Sequence, residues 1–290
     1  ARRGLTLYLP PLSLCGDNGA MVGAQAYYDS LFELYASWGV DFVKVDDIAH
    51  TGVAESGGYA AAHDIEMIRR AIDRCGRPIV LSLSPGPASV EKAWHLSQNA
   101  NMWRITNDFW DDWALLKNMF TRCEIWQSHV GPGCWPDCDM LPLGRIGVKF
   151  GQPRQTRFTP DEQKTMLTLW SIFRSPLILG AELPSLDEAT LRLLTNRDVL
   201  RLNRHSFGAR QIVRNDEHAV WVSQDEDGSR YAALFNLSEK PREVSLDLRE
   251  LEGETFACRE LWSGEERTAQ ETLFCVIEPH GARLFRCTEC

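Results

Sequence analysis

Short apolar segments alternate with amphipathic helical segments along the first two thirds of the chain, and this alternation constrains the fold most. Apolar residues keep helical spacing over 24–38, Gly39 follows as a stop, and the strand-like DFVKVDD comes next. A second helix predicted over about 59–75 leads into the strand-like PIVLSLS at 78–84. Because strands separated by helices usually pair in parallel, the pattern predicts βαβ units and a parallel sheet.

The same rhythm continues to about residue 202. Within it, Thr159-Pro160-Asp161-Glu162 supplies a helix N-cap, a proline at the first helical position and an acid three residues after the cap. The pattern then changes, because strand-like segments follow one another without a helical period: HAVWVSQDED, RYAALFNLS, REVSLDL, CRELWSG and ARLFRC. We therefore expect an α/β domain over 1–202 and a small antiparallel β domain over 203–290.

The charge and the apolar pattern exclude several classes of partner. The 290 residues carry a formal net charge of −9, which disfavours nucleic acid or an anionic membrane as the main partner. No apolar run reaches the length of a membrane span, and the nine cysteines form no metal-ligand pattern. The triplet Asn236-Leu237-Ser238 matches an N-glycosylation acceptor and hints at a secretory route, although it lies in strand-like sequence.

Polar residues gather where the predicted strands end. They are Lys44, Asp46 and Asp47, then Ser82 and Ser84, then Arg104 and Asp108, and then Asp137 and Asp139. In a parallel α/β barrel the carboxyl ends of the strands form one rim, where active sites lie. Acids from several strands are therefore expected to converge.

Simpler explanations exist for several of these residues. Side chains alternate along a strand, so Lys44 and Asp46 share a face and could be only an ion pair at a strand end. Asp47 and Asp112 have the positions of turn or cap acids. The recurrence of charged residues at strand after strand favours a shared site, because a structural explanation would have to be invented separately for each.

Two kinds of chemistry use carboxylates without a nucleophilic serine or cysteine. The seven histidines give no support for a Ser-His-Asp triad. One remaining mechanism is a pair of acids acting on a glycosidic bond. The other is a divalent metal held by carboxylate oxygens, for which Asp46, Asp47 and Asp139 would be the ligands.

Several segments resemble motifs of glycoside hydrolase family 27, the α-galactosidase or melibiase family. DFVKVDD at 41–47 resembles the K-x-D strand of that family, and NMWRITND at 101–108 resembles its W-R-x-x-x-D strand. GPGCWPDCDML at 131–141 is similar to its G-P-G-x-W-N-D-P-D-M-L segment, and SIFRSPLILG at 171–180 to its final barrel strand. The resemblance implies a (β/α)8-type TIM barrel followed by a C-terminal antiparallel β-sandwich.

The resemblance also implies roles for individual residues. Asp46 would be the nucleophile and Asp108 the general acid/base of a retaining hydrolase that cleaves terminal α-D-galactosyl residues. Lys44 and Arg104 would hydrogen-bond sugar hydroxyls, and Asp139 with Met140 would line the pocket. Ser84 would be a fifth substrate-binding residue. No metal and no organic cofactor is implied, and the expected partner is a galactoside or oligosaccharide.

Ser84 bears on which sugar is cleaved. The α-galactosidases of the family tend to have a glutamate after the fifth strand, whereas a smaller residue there resembles the α-N-acetylgalactosaminidase branch. Other family members cleave β-L-arabinopyranosides. Hydrolysis of an α-N-acetylgalactosaminide or a β-L-arabinopyranoside is therefore an alternative prediction.

The N-terminal segment departs from the family pattern. GLTLYL at 4–9 would correspond to the third barrel strand, so the barrel is expected to lack its first two strands. The alternative from another class is therefore a truncated, catalytically impaired carbohydrate-binding relative. Family resemblance implies a secreted, lysosomal or periplasmic protein, with no signal peptide in this chain, and leaves a homo-oligomer open.

Overall fold

The computed structural model describes residues 6–9, 15–16, 19–20, 23–49, 59, 61–148 and 151–290. These residues divide into two compact units. The first comprises residues 1–108 and 131–137, and the second comprises residues 109–130 and 138–290. Each unit has its own core and is described separately.

The described residues form seven α-helices and seventeen strands. The α-helices are α1 Ala24–Ser37, α2 Ala62–Arg74, α3 Ala93–Asn99, α4 Trp113–Trp126, α5 Pro160–Phe173, α6 Glu188–Leu194 and α7 Arg197–His205. The strands before α7 are β1 Thr6–Leu9, β2 Cys15–Gly16, β3 Gly19–Ala20, β4 Phe42–Asp46, β5 Val80–Ser84, β6 Met102–Arg104, β7 Trp135–Asp137, β8 Arg145–Ile146 and β9 Arg154–Gln155. The strands after α7 are β10 Ser206–Arg214, β11 His218–Asp225, β12 Arg230–Asn236, β13 Arg242–Asp247, β14 Thr255–Glu260, β15 Glu266–Gln270, β16 Thr272–Ile277 and β17 Ala282–Glu289.

A parallel sheet of five strands forms the centre of the first unit. Its strand order is β1-β4-β5-β6-β7, and each neighbouring pair is parallel, as the alternation of strands and helices predicted. Val43 and Val45 of β4 and Leu81 and Leu83 of β5 are buried. These alternate residues form one apolar face of the sheet.

Helices α1 and α2 pack against each other beside this sheet. The Tyr28 hydroxyl of α1 donates to Asp64 of α2 at 2.9 Å, and Arg74 forms an ion pair with Asp29 at 2.9 Å. Gly39 follows α1 with a φ of 77°, a left-handed conformation that glycine adopts without steric cost. The chain can therefore reverse within a few residues and enter β4.

Helix α5 is the most buried helix of the second unit. It begins with the predicted capping box, in which Thr159 and Glu162 each accept a backbone N–H from the other residue. Every residue of 165–173 is buried, so the helix is covered on all sides. It packs against α7 and against strands β10, β11, β12 and β17 of the same unit.

An antiparallel sheet of eight strands forms the rest of the second unit. The strand order is β10-β11-β12-β17-β14-β15-β16-β13. Strand β13 also packs against β11 and β12, so the two ends of the strand order approach each other around an apolar core. The predicted domain boundary at 202/203 falls inside α7, three residues before β10 begins, and remains a prediction.

Candidate functional site

Four polar residues end four neighbouring strands of the parallel sheet. Asp46, Ser84, Arg104 and Asp137 are the last residues of β4, β5, β6 and β7. Asp46 pairs with Ser84, and Arg104 pairs with Asp137, in the register of the sheet. Paired residues of parallel strands point to the same face, so these four side chains form a row, which we call the carboxyl-edge row.

Lys44 and Asp46 share the face of the carboxyl-edge row. Both are half-buried, whereas Val43 and Val45 on the opposite face are buried. Lys44 pairs with Ser82 of β5, which places a cation one layer below the row. The alternation expected from the sequence is therefore present in β4.

Asp47 lies apart from Asp46. Its side chain is exposed, its φ is 51°, and its backbone amide donates to the Ser84 carbonyl at 3.0 Å. These are the properties of a residue that turns the chain at the end of a strand. The two adjacent acids thus have different environments.

Arg104 holds Asp108. The Arg104 side chain is 8% exposed and its Nη2 lies 2.8 Å from Oδ1 of Asp108, whose own side chain is 77% exposed. Arg104 Nε donates to the carbonyl of Thr106 at 3.2 Å, which fixes the guanidinium against the turn after β6. A nearly buried cation therefore presents an accessible carboxylate on the face of the sheet that carries Asp46.

Ser84 contributes a buried hydroxyl to the row. The residue is 2% exposed, and its Oγ has no hydrogen-bond partner among the residues that the structure describes. A buried hydroxyl without a partner costs free energy. A polar ligand atom would remove that cost.

Asp139 and Met140 lie in the second unit. The Asp139 carboxylate accepts the backbone N–H of Phe109 at 2.7 Å, and its carbonyl accepts the Trp170 indole N–H at 3.2 Å. Met140 packs against Gly180. Within this unit Asp139 is thus a residue that fixes backbone and side-chain positions.

Asp137 is one of the strand-end acids expected to converge, but the family resemblance implies no catalytic or binding role for it. It is 3% exposed and ends β7 in register with Arg104. The family motif drew attention to Asp139 and Met140, two and three residues further along. The signal that identifies Asp137 is its position at a strand end, which the sequence contains.

A second polar cluster joins α2 and α3 in the first unit. The Tyr59 hydroxyl lies 2.9 Å from Nδ1 of His95, and Nε2 of His95 lies 3.4 Å from Glu66. Burial raises the pKa of Tyr59, so its phenol remains protonated and can donate to the imidazole. The cluster connects the helices that follow β4 and β5.

In the described part of the chain, no group of three or more His, Cys, Asp or Glu side chains is arranged to hold a metal ion. Among the same residues, no helix has the length and apolar character needed to cross a membrane.

Comparison with known proteins matches both parts of the chain to known families. A family model described as Alpha galactosidase A matches residues 13–205, and one described as Alpha galactosidase C-terminal beta sandwich domain matches residues 215–287. Among solved structures, a GH27 β-L-arabinopyranosidase from Geobacillus stearothermophilus is 52% identical with a TM-score of 0.88. The match covers 92% of this chain and 62% of that one.

Curated relatives extend the comparison. Alpha-galactosidase D of Emericella nidulans is 29% identical over 289 residues, which cover 95% of this chain and 42% of the relative. Alpha-N-acetylgalactosaminidase of Gallus gallus is 29% identical over 273 residues, which cover 87% of this chain and 63% of the relative. The chain therefore spans less than two thirds of the length of each.

The parallel sheet, the antiparallel sheet and these matches define a class: glycoside hydrolases with a TIM-barrel catalytic domain and a C-terminal β-sandwich. The fold class predicted from the sequence is confirmed. Within this class, the chain belongs to glycoside hydrolase family 27, the α-galactosidase or melibiase family.

Proposed function

We propose that the protein hydrolyses terminal α-D-galactosyl residues with retention of configuration, with Asp46 as the nucleophile and Asp108 as the general acid/base. The observation that carries the proposal is the carboxyl-edge row, in which Asp46 and Arg104 share one face and Arg104 holds Asp108 at 2.8 Å. A carbohydrate is the substrate class of the relatives.

Strand spacing sets the distance that the side chains of the two acids must bridge. Neighbouring strands lie about 4.8 Å apart, so Asp46 on β4 and Arg104 on β6 are about 10 Å apart along the row. Retaining glycosidases need carboxyl groups about 5–5.5 Å apart. A carboxylate held by the long Arg104 side chain, on the same face as Asp46, has the reach to close part of that distance.

The reaction then follows a double displacement. Asp46 attacks the anomeric carbon and forms a covalent ester while Asp108 gives its proton to the leaving oxygen. Asp108 next takes a proton from water, which hydrolyses the ester. Lys44, Arg104 and the buried Ser84 hydroxyl would hydrogen-bond sugar hydroxyls, and Asp139 with Met140 would line the pocket.

Asp46→Asn and Asp47→Asn form a matched pair for the test. We expect Asp46→Asn to lower kcat/KM for an aryl α-D-galactoside at least about 1,000-fold, because the amide is a poor nucleophile. Asp47→Asn should stay within about 2-fold of the unsubstituted chain, since its side chain is exposed beside the turn. Equal losses in both variants, together with loss of activity in a chelator, would favour the metal-dependent alternative.

Asp108 is tested by the leaving group. Asp108→Ala should lower kcat/KM about 100- to 10,000-fold for a galactoside with a poor leaving group. The loss of kcat/KM for a dinitrophenyl galactoside should be much smaller, because that leaving group needs little protonation. NMR of the first product should show the α-anomer. A folded chain that binds galactose but hydrolyses none of these substrates would instead support the carbohydrate-binding alternative.

A β-L-arabinopyranoside is a second candidate substrate. It is favoured by the 52% identity to the Geobacillus stearothermophilus β-L-arabinopyranosidase. β-L-Arabinopyranose has the ring stereochemistry of α-D-galactose and lacks only the hydroxymethyl group. Comparison of kcat/KM for the 4-nitrophenyl α-D-galactoside, β-L-arabinopyranoside and α-N-acetylgalactosaminide decides among the three.

A further inference from the structure

Two cysteines face each other in the core of the antiparallel sheet. Cys258 of β14 and Cys287 of β17 are direct partners in the sheet register, and their Sγ atoms lie 3.2 Å apart. Both are free thiols, and both are almost fully buried within the apolar core. Nothing in the proposed hydrolase mechanism uses them.

The hydrogen bonds between β14 and β17 show whether Cys258 and Cys287 are a hydrogen-bonded or a non-hydrogen-bonded pair of this antiparallel ladder. The Cys290 amide donates to the Thr255 carbonyl at 3.1 Å, and the Leu261 amide donates to the Leu284 carbonyl at 2.7 Å. Each of these bonds lies three positions from the cysteine pair. Bonded and non-bonded pairs alternate along an antiparallel ladder, so Cys258 and Cys287 form a non-hydrogen-bonded pair.

This position matches the geometry of a disulfide. Cα atoms of a non-hydrogen-bonded pair are about 4.5 Å apart and their side chains approach closely. Disulfides span Cα distances of about 4.4–6.8 Å, so the two sulfurs can be joined with little movement of the backbone. Cys275, on β16 of the same sheet, pairs instead with Val244 and serves as a comparison thiol.

We propose that Cys258 and Cys287 are an oxidative modification site at which a small-molecule disulfide such as oxidised glutathione joins β14 to β17. One thiolate attacks the glutathione disulfide and forms a mixed disulfide, releasing one glutathione. The second thiolate then displaces the other glutathione. Two protein thiols and one oxidised glutathione thus give one protein disulfide and two reduced glutathiones, and no other reactant is needed.

The two thiols have different pKa values in the closed sheet. The hydrogen bond with Cys287 lowers the pKa of Cys258 against the effect of burial, and the charge of Arg267 lowers it further. The same hydrogen bond, with burial, raises the pKa of Cys287. Because both sulfurs are buried in the folded sheet, the exchange proceeds while the strands assemble or open, rather than on the closed protein.

Refolding in a glutathione buffer tests the proposal. The full chain carrying Cys290→Ser is unfolded in urea and refolded with a mixture of oxidised and reduced glutathione, and the remaining thiols are alkylated. Trypsin releases Cys258 in the peptide of residues 250–259 and Cys287 in the peptide of residues 287–290. Cys290→Ser is needed because Cys290 would otherwise fall in the same peptide as Cys287.

Mass spectrometry should find these two peptides joined, with a mass two hydrogens below their sum. Cys275→Ser should leave the cross-link in place, whereas Cys258→Ser should abolish it. Reduction of the cross-linked protein should lower its melting temperature by about 5–10 °C. Refolded protein with native circular dichroism in which Cys258 and Cys287 are both alkylated, or joined to other cysteines, would overturn the proposal.

Discussion

His280 joins the turn between β16 and β17 to helices of the same compact unit. Its ring stacks on Trp113 with centroids 3.8 Å apart and planes 11° apart, and its Nδ1 lies 2.8 Å from Oε1 of Glu162. Its Nε2 lies 2.9 Å from Glu239, and its carbonyl accepts the Thr165 hydroxyl at 2.6 Å. His280→Ala removes the three side-chain contacts and leaves the backbone contact.

The three side-chain contacts determine how much stability His280→Ala should lose. Stacking is worth about 1 kcal/mol, and the bond to Glu162, whose side chain is 9% exposed, about 2 kcal/mol. Glu239 is 80% exposed, so its contact adds well under about 1 kcal/mol. We expect His280→Ala to lower the free energy of unfolding by about 3 kcal/mol and the melting temperature by about 6–12 °C.

Urea unfolding followed by tryptophan fluorescence measures the loss, with Glu239→Ala as the matched control. The control should lose less than about 1 kcal/mol. His280 has a φ of 59°, so His280→Gly should be about 1 kcal/mol more stable than His280→Ala, because glycine adopts this conformation freely. A loss below about 1 kcal/mol for His280→Ala, or equal losses for His280→Ala and Glu239→Ala, would refute the reasoning.

Two further predictions concern the second unit. Burial by itself raises the pKa of Asp111, but hydrogen bonds from Arg154 and from the Arg157 amide outweigh it and lower the pKa below 3.8. Asp111→Asn should therefore cost about 3 kcal/mol at pH 7, and this difference from the unsubstituted chain should shrink as pH falls below about 4 in urea unfolding. A Cβ on Gly180 would lie 2.5 Å from the Met140 sulfur, so Gly180→Ala should displace that side chain and cost about 1–3 kcal/mol, and should also raise KM if Met140 lines the sugar pocket.

Local chemistry made some elements predictable. The capping box at Thr159 and Glu162 is a short-range pattern, and the structure contains both of its hydrogen bonds. Asp112 caps α4 by accepting the amides of Ala114 and Leu115, as its position suggested. Each case depends on residues within three positions of one another, so no tertiary information was needed.

Strands β15 and β16 were not predicted, and their burial explains why. Only Ala269 is buried among the five residues of β15, and β16 exposes Phe274 and Val276. Strand β15 is held mainly by pairing with β14, whereas β16 pairs with β13 and places Leu273 and Ile277 in the apolar core. The sequence of β16 is apolar on both faces and that of β15 is mostly polar, so neither shows the apolar–polar alternation by which a half-buried strand is recognised.

The triplet Asn236-Leu237-Ser238 is a case in which a sequence pattern is present for a structural reason rather than for glycosylation. Asn236 is fully buried, and its amide nitrogen donates to the carbonyls of Lys240, Ile277 and Glu278. Its Oδ1 accepts from both the amide and the hydroxyl of Ser238. The asparagine and serine are therefore explained by a structural hydrogen-bond network in the sandwich, and the folded chain offers no accessible amide at this triplet.

The sequence predicts the position of the proposed nucleophile, Asp46, better than that of the proposed acid/base, Asp108. Asp46 lies within a strand, where the alternation of side chains separates it from Asp47 and the register of the parallel sheet places it beside Ser84. Asp108 lies four residues beyond the end of β6, where alternation no longer determines direction. In the described part of the chain its carboxylate forms an ion pair with the nearly buried Arg104, so the distance between the two acids depends on this side-chain pair and not on the sheet alone. Substitution of Arg104 should therefore disturb the protonation step proposed for Asp108 more than the attack proposed for Asp46.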